Sequence, residues 1–141
     1  MLNKEKDLKE LFNLSYGDKP PSREKWESLY NKKVKFIDPT QEKNGIDAYI
    51  KAQDGLIKRC DDIYLESHSI AINKNIAFIE WTMGLKVKGL EFLYNGITRL
   101  IFDEDDKVIE HRDYFDFCSG TFGNVPIIGA FFKWLYSRFV D

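Results

Sequence analysis

From Asp62 onward the apolar residues recur at every second position, through four consecutive runs at 62–72, 75–88, 90–103 and 107–117. A period of two is the mark of a strand with one dry face and one wet face. The breaks are Asn73-Lys74-Asn75, Lys88-Gly89 and Asp103–Asp106, short polar turns of the hairpin type. Four strands joined in this way make an antiparallel meander. Strands of this length twist, and a long twisted sheet curls. Helical patterns precede the meander instead of alternating with it, so the expected class is α+β with helices on one face of the sheet.

Three helices are expected before the meander. Residues 3–16 place Leu8, Leu11, Phe12 and Ser15 on one stripe, and the Gly17…Pro20-Pro21 stretch ends it. Ser22 is an N-cap for residues 23–31, with Trp26, Leu29 and Tyr30 on one face. Asn44-Gly45 opens a third helix over 46–60, with Ile46, Tyr49, Ile50, Leu56 and Ile57 at helical spacing. Between the second and third, residues 34–38 alternate like a strand and stop at Pro39. Helices laid across a curled sheet leave a cavity, the natural place for a small ligand. The chain of 141 residues is read as one domain over 1–141, and 15% of it is aromatic. A chain of this length buries roughly 68–70% of the surface it exposes when unfolded, and so needs no disulfide or metal staple.

The net charge of −2 offers no electrostatic case for nucleic acid. Cys60 and Cys118 have neither CxxC nor Cys/His spacing and read as free thiols in a reducing compartment. The N-terminus MLNKEKDLKELF has no apolar signal region, and no apolar run reaches the ~18 residues of a membrane span. The expectation is a cytoplasmic protein. The acidic turn Asp103–Asp106 lacks the ligand spacing and terminal Glu of a calcium loop, and no cofactor or metal is expected.

Residues 125–139, VPIIGAFFKWLYSRF, form a last helix that is apolar nearly all round, with Lys133 and Arg138 its only charges. Such a helix must bury most of its surface. Three readings stand: packing on its own domain or on a partner subunit, interfacial contact with a membrane, or a lid over the pocket.

The stretch EHRDYFDF, 110–117, alternates charge with aromatics. Its HRD triplet is not a kinase catalytic loop, because the Asn required five residues after the Asp is Cys118 and no glycine-rich loop exists. Taken with VKFIDP at 34–39, NGIDAYI at 44–50 and GITRLIFDEDDKVIEHRDYFD at 96–116, it resembles the nuclear transport factor 2-like superfamily, and most closely its SnoaL-like branch. The resemblance covers about residues 5–117 and leaves the last helix outside. It implies a cone-shaped α+β barrel, a curved antiparallel sheet wrapped around three N-terminal helices, with a pocket inside and a homodimer through the outer sheet face.

The resemblance also implies site residues. Ketosteroid isomerase-like members use as general base the Asp that corresponds to Asp38. The positions of their oxyanion-hole donors fall on Thr98 and near Leu11 or Phe12, so both donors are replaced. Limonene-epoxide hydrolase-like members use the Asp that corresponds to Asp113, but the positions of their strand Arg and Asp are Trp81 and Met83. Strand parity puts His111, Asp113 and Phe115 on one face and Arg112, Tyr114 and Asp116 on the other, and the resemblance at Asp113 implies that the first set faces the cone. The candidate catalytic residues are Asp38, His111 and Asp113. The candidate ligand-binding residues are Phe36, Trp81, Met83, Thr98 and Phe115.

Two residues apart on a strand, His111 and Asp113 are suited to acid/base work, to holding a ligand without chemistry, or to a structural polar network. The expected function is binding of a small hydrophobic, oxygen-bearing molecule, with isomerase- or hydrolase-like acid/base catalysis left open. The alternative is a noncatalytic binding or scaffolding module that uses the outer sheet face and the last helix.

Overall fold

The computed structural model describes residues 4–123 and 125–140. In chain order these form α1 (Lys4–Leu11), α2 (Arg23–Leu29), β1 (Tyr30–Ile37), β2 (Glu42–Asn44), α3 (Ile46–Arg59), β3 (Asp62–Asn73), β4 (Ile76–Val87), β5 (Leu90–Phe102), β6 (Val108–Phe115), α4 (Phe117–Phe122) and α5 (Pro126–Val140). The six strands make one sheet in the order β2-β1-β6-β5-β4-β3.

The meander β3–β6 is antiparallel throughout. Its β4–β5 turn places Lys88 and Gly89 at φ 50° and 79°. Two consecutive positive φ values are the signature of the type I′ turn, whose twist matches that of the strands it joins. The sheet as a whole is mixed, not antiparallel, because β1 runs parallel to β6. The cause is the connection: the chain leaves β1 through β2 and α3, crosses to the far edge of the sheet at β3 and returns strand by strand, so that β6 arrives beside β1 in the same direction. The sheet is also unclosed, since β2 and β3 end it. The expected barrel is therefore a curved open sheet with helices laid across its concave side.

Local chemistry explains where the elements depart from expectation. The helix expected over 3–16 ends at Leu11, and residue 3 lies outside the described residues. Asn13 Nδ2 donates back to the Lys9 carbonyl at 2.6 Å and to Ser67 Oγ at 2.7 Å. Leu14 and Leu65 exchange backbone hydrogen bonds of 2.8 Å each way. The segment after α1 thus covers the free edge of β3, an edge that would otherwise invite another chain. Tyr30, expected on the second helix, is the first residue of β1, and Ser22 caps α2 as expected by accepting from the Lys25 amide. The polar strand β2 was not anticipated. It folds back on β1 around the Asp38–Gln41 turn.

The core joins both layers. Leu8, Leu11 and Phe12 from the first helix and its exit pack with Ile46 and Tyr49 of α3 against Val34, Phe36, Ile79, Trp81, Leu100 and Val108 of the sheet. The strand 107–117 expected from the sequence stops at Phe115, because Asp116 caps α4: its Oδ1 accepts from the Ser119 amide at 2.9 Å. Asp116, placed on the outer face by parity, is therefore a helix cap. On that face Glu110 pairs with Arg99 at 2.5 Å.

Among the described residues, helix α5 packs on its own domain only through α4 and the residues just after it. Gly129 is its only buried residue among those described, set against the carbonyls of Phe122 and Gly123, and Phe132 stacks on Phe122. Ile127 is 85% exposed and Phe139 84%, and Ile128, Phe131, Trp134, Tyr136 and Val140 are exposed as well. None of its residues lines the cone cavity. Among the described residues no helix is long and apolar enough to cross a membrane.

Candidate functional site

The concave side of the sheet and helices α2 and α3 enclose a cavity of about 980 Å³. Every site residue expected from the sequence lines it: Asp38, His111 and Asp113, with Phe36, Trp81, Met83, Thr98 and Phe115. Strand register brings these together. Thr98 stands directly opposite Asp113, and Phe36 opposite His111.

A buried hydrogen-bonded ladder runs across the floor. His111 Nε2 lies 2.8 Å from Asp113 Oδ1, and His111 Nδ1 lies 2.7 Å from the Tyr30 hydroxyl. Thr98 Oγ1 donates to the same Asp113 Oδ1 at 2.5 Å, and Trp81 Nε1 donates to Thr98 Oγ1 at 2.8 Å. The ring of Tyr49 stacks on that of Tyr30, with centroids 5.3 Å apart. The carboxylate only accepts, so with a neutral imidazole the proton sits on Nε2 and Nδ1 accepts from Tyr30. One direction of donation then runs from each end towards the middle: Tyr30 to His111 to Asp113, and Trp81 to Thr98 to Asp113.

Burial makes this ladder stiff. Thr98 is 0% exposed and His111 3%. The imidazole is ringed by Phe12, Tyr30, Phe36 and Tyr49, with ring centroids 5.2 to 6.2 Å away. At low effective dielectric, satisfied polar groups hold one another firmly and an orphaned one is costly.

Burial also pushes the phenols of Tyr30 and Tyr49 well above the ordinary tyrosine range, and the Asp113 charge adds to this for both. The sign follows. A raised folded-state value means the unfolded chain releases its phenolic protons first, so the contribution is intact below pH ~10 and is lost as pH rises above it. Each of the two phenols is expected to lower stability by about 1.4 kcal/mol per pH unit in that range. Of the seven tyrosines, Tyr30 and Tyr49 are expected to gain tyrosinate absorbance only as the protein unfolds, a delay that a combined Tyr30→Phe, Tyr49→Phe variant removes.

Trp81 reaches Thr98 because Gly96 has no side chain. The two residues are cross-strand partners, and a Cβ on Gly96 would sit 2.6 Å from the indole ring and 2.8 Å from the Tyr114 carbonyl. Gly96→Ala is expected to displace the indole, break its bond to Thr98 and cost about 1–3 kcal/mol in urea unfolding.

Asp38 sits apart from this ladder. Its Oδ1 accepts from the Thr40 amide, the Thr40 hydroxyl and the Gln41 amide at 2.7 to 2.9 Å, and Oδ2 accepts from Gln41 Nε2 at 3.2 Å. The carboxylate closes the β1–β2 turn. His68 is exposed on β3 and bonds Thr82 at 2.7 Å, away from the floor. Both cysteines are free.

Tyr30, Tyr49, Phe12 and Tyr94 belong to the site and escaped the sequence reading. Tyr94 lines the cavity, its hydroxyl within 2.8 Å of Thr121 Oγ1 on α4, and Gly120 lets that helix lie flat on its ring. The even parity of Tyr30, Val34 and Phe36 was the available signal for Tyr30.

Known proteins place this architecture. No curated protein matches the chain. A putative SnoaL-like polyketide cyclase from Jannaschia sp. superposes with TM-score 0.67 at 15% identity, over 79% of this chain and 84% of that one. An NTF2-like protein of unknown function from Exiguobacterium sp. gives 0.60 at 19% identity, over 68% and 86%. A protein with a ketosteroid isomerase-like fold from Catenulispora acidiphila, crystallised with trimethylamine, gives 0.60 at 14% identity, over 66% and 74%. Identities this low establish the fold alone. The family model described as "uncharacterized conserved protein (DUF2358)" matches residues 6–111. A curved sheet with helices across its concave face, joined to that match over most of the chain, makes this a protein of the nuclear transport factor 2-like fold that belongs to the DUF2358 family.

Proposed function

We propose that the cone binds a small hydrophobic molecule with a few polar atoms, and that the His111–Asp113 pair handles any proton the bound molecule gains or loses. The observation that supports this most is the joining of a large aromatic-lined cavity to a carboxylate–imidazole pair on its floor. Asp38, tied to its own turn by four hydrogen bonds, acts at the mouth as a wall residue, and proton transfer rests with His111 and Asp113. The neighbour crystallised with trimethylamine is a relative in fold that holds a small organic molecule. In this reading the outer sheet face pairs with a second copy, through exposed Phe78, Ile97 and Tyr114.

A second reading, a binding or scaffolding module, is favoured by the exposure of α5. A neutral hydrophobic dye such as Nile red separates the two. The pocket reading expects one dye per chain, weakened when Met83→Trp narrows the cavity and kept when the chain is cut after Gly123. Loss on truncation with no effect of Met83→Trp places the dye on α5 and overturns the pocket reading.

A further inference from the structure

The hydrogen-bond inventory of the floor is unequal. Every donor on the sheet floor is paired: Trp81 Nε1 on Thr98, Thr98 on Asp113, His111 Nε2 on Asp113 and Tyr30 on His111, with the Tyr94 hydroxyl paired to Thr121 Oγ1. Both bonds to Asp113 fall on Oδ1. Among the described residues none reaches Oδ2. That atom is not one of the buried atoms left without a partner, which are Asp7 Oδ2, Arg99 Nε and Arg112 Nε, and the Asp113 side chain keeps 17% of its surface open. Asp113 lines the cavity, so the opening is into the cone. The remaining indole of the lining, Trp26, stands on α2 against Tyr30 and Tyr49, on the helix wall and not on the sheet. The cations of the lining, Arg23, Lys43, Lys51 and Arg59, are solvent-exposed.

A floor with one free acceptor and no free donor selects by chemistry. A carbonyl or ether oxygen placed there finds nothing to bond and loses its water. A hydroxyl or ammonium finds an ionised acceptor, the stronger kind of partner. We infer that the ligand of this cone meets the sheet floor with a hydrogen-bond donor, an O–H or an N–H, that binds Asp113 Oδ2. This rests on the pocket reading above and adds the polarity of the recognised group. It also separates this site from one built to stabilise an oxyanion, which needs donors aimed at the charge.

Four probes of one shape test it: naphthol, protonated naphthylmethylamine, methoxynaphthalene and acetylnaphthalene, titrated calorimetrically into the full chain. Naphthol, the amine or both are expected to bind about ten- to a hundredfold more tightly than the ether and the ketone. The ranking of naphthol against the amine tells a neutral ligand from a cationic one. In Asp113→Asn the amide oxygen can keep the bonds from Thr98 and His111 while its NH₂ replaces Oδ2, so the order is expected to reverse in favour of acetylnaphthalene. If the four probes bind the unaltered protein within threefold of one another, or the ketone binds best, the inference falls and the pocket reading stands. If none binds, both fall. The ranking in the unaltered protein decides even where Asp113→Asn does not fold.

Discussion

His111→Ala is expected to destabilise the protein by about 3–5 kcal/mol, with the loss read from urea unfolding at low temperature. Three costs add. The imidazole fills a space enclosed by Phe12, Tyr30, Phe36 and Tyr49, so its removal leaves a cavity that four rings of fixed orientation close only in part. The Tyr30 hydroxyl, 1% exposed as a residue, loses its acceptor. Asp113 keeps only Thr98 as a donor. Against a total stability of about 5–15 kcal/mol this is a large share. A loss below about 1 kcal/mol would mean that the ladder contributes no net stability.

Truncation after Gly123, the second large effect, works on association and not on folding. Helix α5 contributes one buried residue, Gly129, and one ring stack, Phe132 on Phe122, so its removal is expected to change unfolding stability by about 1 kcal/mol or less. What it removes is a run of exposed Ile127, Ile128, Phe131, Trp134, Tyr136, Phe139 and Val140. Apolar surface of this extent drives association. Sedimentation of the full chain is expected to show self-association or binding to liposomes, and both the truncated chain and Trp134→Glu are expected to lose at least tenfold of it. Equal behaviour of all three forms overturns a docking role for the helix.

The candidate site was legible where chemistry follows periodicity. Parity along β6 separated His111, Asp113 and Phe115 from Tyr114, the family resemblance at Asp113 implied that the first set faces the cone, and the structure agrees, with Tyr114 exposed. Thr98 and Trp81 entered through the family resemblance, but their bond to each other depends on Gly96 and on strand register. Tyr30 was hidden because Lys32 interrupts the apolar alternation and β1 has a register shift between Tyr30 and Lys35. Tyr49 stood on the apolar stripe of its helix, where nothing local distinguishes a ring beside a polar network from a ring in a core. The strand β2 was hidden by its composition, since Glu42, Lys43 and Asn44 are all exposed and pair only at the sheet edge. The parallel β1–β6 pairing is a property of connection, invisible to local pattern. FCSGTF has poor helix formers, and α4 depends on the Asp116 cap and on the fit of Gly120 over Tyr94.

The central claim is that the floor of the cone, at Thr98, His111 and Asp113, is where a small molecule binds. Amide-detected NMR of the labelled full chain, titrated with a library of small aromatic alcohols and amines, tests it most directly. The account predicts saturable shifts centred on Thr98, His111 and Asp113 and extending to Trp81 and Phe115. Shifts confined to α5 or to the outer sheet face, or none anywhere at millimolar probe, would contradict it.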